Sequence, residues 1–215
     1  MDTKHSRLEY LRCAKLGLKC DRCALAKAGR TQVVFGDGNP EANLMVIGSG
    51  PGRFEDILGE TITGRPSMVF NKMLKQAGTE RGNVYVAHVV KCRPPNDRVA
   101  QATEVQKCAP YLHAQIGIVR PSAILTLGEL AGNVVTGQRP HLSMPVLASR
   151  SWSYAFEQTQ MHVPVFCIEN PSDIWDRIQP QQGRVASDAK HDYRKAVAMM
   201  KKAVAMSQPL DIEGL

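Results

Sequence analysis

The chain has 215 residues, 43% hydrophobic and 22% charged, which is the composition of a folded domain with a core of its own and not of a disordered chain. No run approaches the roughly 18 apolar residues of a membrane-spanning helix, so no such helix is expected. The formal charge of +7 favours a polyanionic partner, nucleic acid first among them.

The opening segment, MDTKHSRLEYLRCAKLG, is charged and lacks the apolar centre of a secretory signal, so a cytoplasmic location is expected. Six cysteines without an export signal suit a metal or cluster site better than a disulfide framework. From Ser6 to Ala28, Leu8, Leu11, Leu16 and Leu18 recur at helical spacing, interrupted by Gly17 and ending around Cys20-Asp21-Arg22-Cys23. After Lys27-Ala28-Gly29-Arg30 a strand is expected over Thr31 to Phe35, closed by the turn formers Gly36-Asp37-Gly38-Asn39-Pro40.

Leu44-Met45-Val46-Ile47 reads as a strand buried on both faces, running into a loop of Gly48, Ser49, Gly50, Pro51 and Gly52. A small-residue loop after a strand lets backbone N–H groups approach a ligand, although ordinary strand-to-helix turns use the same residues. Ser67 to Gly78 has the pattern of an amphipathic helix with Val69, Phe70, Met73 and Leu74 inward. Val84 to Val90 is a second buried strand, followed by the basic loop Lys91-Cys92-Arg93-Pro94-Pro95-Asn96-Asp97-Arg98, which two prolines keep out of helix.

Thr103 to Val119 is helical, Ala123 to Gly128 a strand and turn, and Glu129 the start of another helix. Gln138 to Gln160 is expected to be irregular or partly hairpin, anchored by Trp152 and Tyr154. Val163 to Ile168 is a further strand, ending at Asn170-Pro171-Ser172, and Lys190 to Met206 closes the chain as an amphipathic helix before a frayed tail at about 207–215. Strands alternating with helices imply one domain, 1–215, built on a parallel sheet between helices.

Cys20 and Cys23 form a C-x-x-C pair, with Cys92 and Cys108 available to complete four ligands. The long spacings do not match a compact zinc finger, and spacing alone leaves zinc, an iron–sulfur cluster and packed thiols open.

The run CDRCALAKAGRTQVVFGDGNPEANLMVIGSGPG, the segment Glu55, Asp56 and Gly59, the segment VYVAHVVKCRPPNDR, and Cys108 in QKCAPYL resemble the family 4, iron–sulfur uracil-DNA glycosylases. The resemblance covers roughly Leu18 to Leu130 and resumes at NPSDI. It implies a three-layer α/β/α sandwich around a four-stranded parallel sheet, and a [4Fe–4S] cluster held by Cys20, Cys23, Cys92 and Cys108. Cys13 and Cys167 have no match in that pattern and are expected to be packed thiols. By the same resemblance the cluster is structural, pinning the N-terminal helix to the basic loop. Lys91, Arg93 and Arg98, with Arg65, are then expected to meet DNA phosphates; otherwise they are a solvated basic surface.

The pocket departs from the family. A glycosylase must extrude a nucleotide, grip its base and stabilise charge separating between sugar and departing base. The resembled family grips with a Glu in a G-E-x-P-G loop, a stacking aromatic, an Asn at the end of the third segment and a His in an H-P-S motif. This chain has Ser49, Ile62, His88 and Asn170 at those positions. Ile62 offers no π-face, a loss of about 1–3 kcal/mol, and Asn170 cannot make a charge-assisted bond. Pro171 and Ser172 keep the rest of the last motif, and Glu55 matches a position able to orient the attacking water.

The expected activity is hydrolysis of the N-glycosidic bond of uracil or another damaged base in DNA, by Glu55, His88 and Asn170, in a monomer at the nucleoid. His88 has the alternative of a packed strand-end histidine. Two other readings stand beside the glycosylase: a catalytically silent glycosylase-fold DNA-binding module attached to replication or repair proteins, and a zinc-binding structural protein.

Overall fold

A computed structural model describes residues 3–16, 20–138, 141–155, 162–178 and 187–208. Among the described residues six strands form one sheet: β1 Asp37–Gly38, β2 Leu44–Gly48, β3 Val84–His88, β4 Ala123–Leu127, β5 Trp152–Ala155 and β6 His162–Ile168, in the order β1-β3-β2-β4-β6-β5. The middle four run parallel, as the alternation predicts, in the register Gly48 to His88, Ile47 to Thr126 and Leu127 to Ile168. The expected four-stranded sheet is therefore extended by two antiparallel edges, β1 on β3 and β5 on β6.

The α-helices among the described residues are α1 Lys4–Tyr10, α2 Arg53–Leu58, α3 Arg65–Gln76, α4 Ala102–Val119, α5 Glu129–Thr136, α6 Met144–Ser149, α7 Pro171–Ile178 and α8 Ser187–Ser207. Alternate strand residues face opposite layers, because strand side chains have period two. Met45, Ile47, Tyr85, Ala87 and Ile124 pack with residues of α1, α4, α5 and α6. Leu44, Val46, Val84, Val86 and Leu125 pack with α3, α7 and α8. Every residue of β2, β3 and β4 is buried, which explains their unbroken apolar runs.

Several expectations need correction. Thr31–Phe35 forms no strand: Val34 N–H bonds to Lys91 C=O at 2.8 Å, and the two-residue pairing falls on Asp37–Gly38, within the expected turn. The N-terminal helix is regular only to Tyr10 and continues as a wider π-type turn over Leu11–Leu16. Gly17 and Leu18 lie outside the described residues, as do 209–215 of the expected tail and 156–160 of the expected irregular stretch. Cys13 is exposed, not packed, whereas Cys167 is buried. Among the described residues no helix is long and apolar enough to cross a membrane.

Candidate active site

The parallel strands all end on one edge of the sheet. The chain leaves β2 toward β3 on one side, while β4 lies on the other, so the strand order reverses between β2 and β4. A crevice outside the carboxyl ends of two such strands is where open α/β sheets bind ligands. Here the loop Ser49–Gly52 follows β2 and Gly128 follows β4. Gly128 has φ +86, a conformation that side chains rarely adopt, and a Cβ there would lie 3.5 Å from Ser49 Oγ and 3.6 Å from Asn170 Cβ. Ser49, Gly128 and Asn170 thus line one mouth, with Gly128 a member that sequence reasoning missed; its signal was a glycine at a strand end, as at Gly48.

Asn170 initiates α7: its C=O accepts from Asp173 and Ile174 N–H at 3.0 and 3.1 Å, and its Oδ1 accepts from Ser172 N–H at 3.2 Å. Its Nδ2 donates to no described residue. Pro171 is buried and Ser172 half-buried behind it.

On the β3 side, Glu55 projects inward from α2. Its Oε2 accepts the Gly52 N–H at 2.6 Å, and its Oε1 accepts the Ile62 N–H and lies 3.2 Å from His88 Nε2. Burial pushes the Glu55 carboxyl up, but the His88 charge and hydrogen bond, with the Gly52 and Ile62 N–H groups, outweigh it and hold the carboxyl below its ordinary range. An anion held this firmly is a weak base and a good fixed charge. Asp56 faces inward too, accepting the Thr31 N–H at 2.8 Å, and so ties α2 to the segment that follows the C-x-x-C pair.

His88 is 4% exposed, so it is a packed histidine with one engaged face. A Cβ on Gly48 would stand 2.5 Å from its Nδ1, which shows that the ring lies edge-on against the Gly48 backbone; Nδ1 is buried without a hydrogen-bond partner. His88 thus has Nε2 on Glu55 and Nδ1 against Gly48.

Ile62 adopts φ +51, unusual for a β-branched residue, and packs against the core cluster under α3. Its turn is held by Asp37, whose Oδ2 accepts the Thr61 N–H at 2.6 Å and Thr61 Oγ1 at 2.8 Å, and whose Oδ1 pairs with Arg81. The Ser49–Gly52 loop is fixed to the basic loop: Val89 and Val90 N–H donate to Gly48 and Ser49 C=O at 2.9 and 3.2 Å, and a Cβ on Gly50 would meet Val90 Cγ2 at 2.7 Å. Pro51 is buried beneath it.

The basic loop itself is less free than its sequence suggests. Lys91 is fully buried, with Nζ donating to His88 C=O at 2.7 Å and to Gln115, so it cannot meet a phosphate. Burial pushes its ammonium down to about 8. Arg93 is forked on Asp97 at 2.6 and 2.9 Å, and Arg98 on the buried Glu104 at 2.9 and 2.7 Å. Arg65, at the start of α3, is exposed.

Cys92 and Cys108 are buried, and Cys20 and Cys23 pack against the same core. Arg30 donates to Cys92 Sγ at 2.8 Å and to Cys20 C=O at 2.5 Å, and the Lys91 N–H donates to Cys108 Sγ at 3.3 Å. Burial pushes the Cys92 thiol up to about 11 against the Arg30 bond and charge, with the neighbouring Cys108 and Cys23 thiols adding to the rise. Arg22, between the paired cysteines, donates to Tyr111 Oη at 2.5 Å and stacks on its ring, docking the N-terminal segment on α4. A donor set of four thiols, of which Cys92 and Cys108 accept N–H bonds at sulfur, suits a soft, thiolate-bound centre. Among the described residues no group of three or more His, Cys, Asp or Glu is arranged to hold a single metal ion.

Residues 35–183 match the family model of the uracil DNA glycosylase superfamily. The chain belongs to that superfamily. Its relatives include the type-4 uracil-DNA glycosylase of Sulfurisphaera tokodaii, 33% identical over 72% of this chain and 70% of that protein. The type-4 enzyme of Archaeoglobus fulgidus is 33% identical over 75% and 81%, and that of Thermotoga maritima 42% identical over 53% and 58%. The superfamily match spans every parallel strand and both sides of the crevice, so the site lies inside the shared fold.

Proposed function

We propose that this glycosylase-superfamily chain hydrolyses the N-glycosidic bond of uracil or another damaged base in DNA. The observation that carries the reading is the fixed Glu55 anion beside the crevice where Ser49, Gly128 and Asn170 converge. A glycosidic bond that breaks with the base departing as an anion leaves positive charge on the sugar, and a pre-oriented carboxylate stabilises that charge without reorganising. Glu55 keeps acceptor capacity beyond its three bonds and so also orients the attacking water. Asn170 Nδ2 donates to a base carbonyl, Ser49 Oγ donates or accepts beside it, and His88 holds Glu55 in place.

A [4Fe–4S] cluster bound by Cys20, Cys23, Cys92 and Cys108 fits the all-thiol donor set and the type-4 names of the relatives. When bound, it cross-links the N-terminal segment to the loop that carries Arg93 and Arg98, a structural task. DNA is the partner, drawn by the net charge.

The second reading, a DNA-binding module without chemistry, draws support from Ile62, whose half-buried aliphatic side chain packs against the core and gives the base no stacking face. Incubation with single- and double-stranded oligonucleotides carrying uracil, hypoxanthine or xanthine, then alkaline cleavage, separates the two. Strand breaks at one of these bases support the glycosylase; salt-sensitive binding with no break at any of them leaves the module.

A further inference from the structure

The two helices that follow the Ser49–Gly52 loop, α2 and α3, present a surface the proposed mechanism does not use. In α2 the usual amphipathicity is inverted. Glu55 and Asp56 face inward, each held by hydrogen bonds, while Phe54, Ile57 and Leu58 face solvent at 61%, 51% and 58% exposure. Packing the acids inward forces the apolar residues out, because a helix of six residues has only two faces. Exposed contiguous apolar side chains mark an interaction site more often than single ones do.

Phe54 does not end the surface. A Cβ on Gly64, just before α3, would lie 3.4 Å from Phe54 Cδ2, so the ring rests on the start of α3. From there Arg65, Met68, Lys72 and Lys75 follow at spacings of three, four and three, all exposed, and therefore form one stripe along α3. Met68 is 64% exposed. The helix, RPSMVFNKMLKQ, contains no carboxylate. Arg53 adds a further exposed cation on α2, and the loop between the two helices contributes one exposed acid, Glu60. Among the described residues none of Arg53, Arg65, Lys72 and Lys75 is in an ion pair, unlike Arg93 and Arg98.

We propose that this strip, with Phe54 and Met68 set among Arg53, Arg65, Lys72 and Lys75, binds unpaired DNA flanking the target nucleotide. Bases stack on the aromatic and thioether side chains while the cations follow the phosphates, the combination that sequence-tolerant single-strand binding uses. Charge selects the occupant: a protein partner or second copy fitted to the apolar residues alone leaves four unpaired cations without counterions, whereas a polynucleotide meets both. The strip starts at Arg53, directly after Gly52, so a strand entering the crevice continues onto it. The assignment rests on the DNA-directed reading of the crevice but not on catalysis there.

The test measures binding of the full chain to undamaged oligothymidylate and to an undamaged duplex by fluorescence anisotropy. We expect F54A/M68A to weaken single-strand binding by roughly 10-fold or more, and the duplex less. K72Q/K75Q should lower the slope of log affinity against log salt by about 1.4, two contacts at ~0.7 each. Both pairs are exposed, so thermal melting should match the wild type. Wild-type affinity and salt slope in both variants overturn the proposal. So does a concentration-dependent dimer, seen by sedimentation, that F54A/M68A abolishes while DNA binding persists. Excision of damaged bases is scored separately: a silent crevice with an F54A/M68A binding defect sinks the catalytic reading alone, and active excision with unaltered binding sinks this one alone.

Discussion

His88 and Glu55, 33 residues apart in sequence, meet with Nε2 3.2 Å from Oε1 at the carboxyl edge of the sheet, and their side chains are 5% and 13% exposed. The contact makes the Glu55 charge part of the fold. A carboxyl held below its ordinary value near 4.5 contributes stability that is present above that value and lost as pH falls through the lower folded value. Thermal melting of the wild type should therefore hold through weak acid and fall below the ordinary glutamate range. Glu55→Gln should flatten part of that acid limb. Parallel melting curves for the two proteins across the acid range would show that the carboxylate carries no linked stability.

Positioning and base reading by His88 separate kinetically. His88→Asn, which installs the residue type of the resembled family, removes one partner from a buried carboxylate and should cost about 1–3 kcal/mol in urea unfolding. If the ring only aims Glu55, excision slows on every accepted base by a similar factor and the order of preference is kept. A changed order among uracil, hypoxanthine and xanthine would instead give His88 a direct part in reading the base.

Gly48 sets the ring from the other side. In Gly48→Ala the new methyl carbon would stand 2.5 Å from His88 Nδ1, so the imidazole must move and its contact with Glu55 must loosen. We expect a loss of about 1–3 kcal/mol from this overpacking. Gly82→Ala is the control, since a Cβ there meets nothing within 4 Å. Equal melting temperatures for the two variants would mean that the ring relocates freely.

The parallel core was legible because burial on both faces writes itself as unbroken runs such as Leu44–Ile47 and Val84–Val90. The edges were not: β1 is two residues long and lies within glycine-rich sequence that reads as a turn. Nor was α2, because its inward residues are Glu55 and Asp56 and its outward ones Phe54, Ile57 and Leu58, the reverse of the pattern that marks a surface helix. At the site, residue types pointed to Glu55, His88 and Asn170, but not to their orientation. Lys91 in a basic loop reads as solvated, yet it is drawn inward by hydrogen bonds to the His88 carbonyl three residues back and to Gln115, which comes from a distant segment.

Cys92 joins the basic loop to the N-terminal segment through Arg30, which spans its Sγ and the Cys20 carbonyl. A thiolate-bound cluster at this junction would make metal content and folding one equilibrium, because the ligands come from three separate parts of the chain. Cys92→Ser, purified without oxygen, should lose most of its iron and sulfide, lose the broad visible absorbance of the wild type, and melt well below it. Cys167→Ser, at a buried thiol on β6 outside the proposed ligand set, should keep full iron. A Cys92→Ser protein as stable and as iron-rich as the wild type would remove Cys92 from the ligand set, and a colourless, iron-free wild type would remove the cluster.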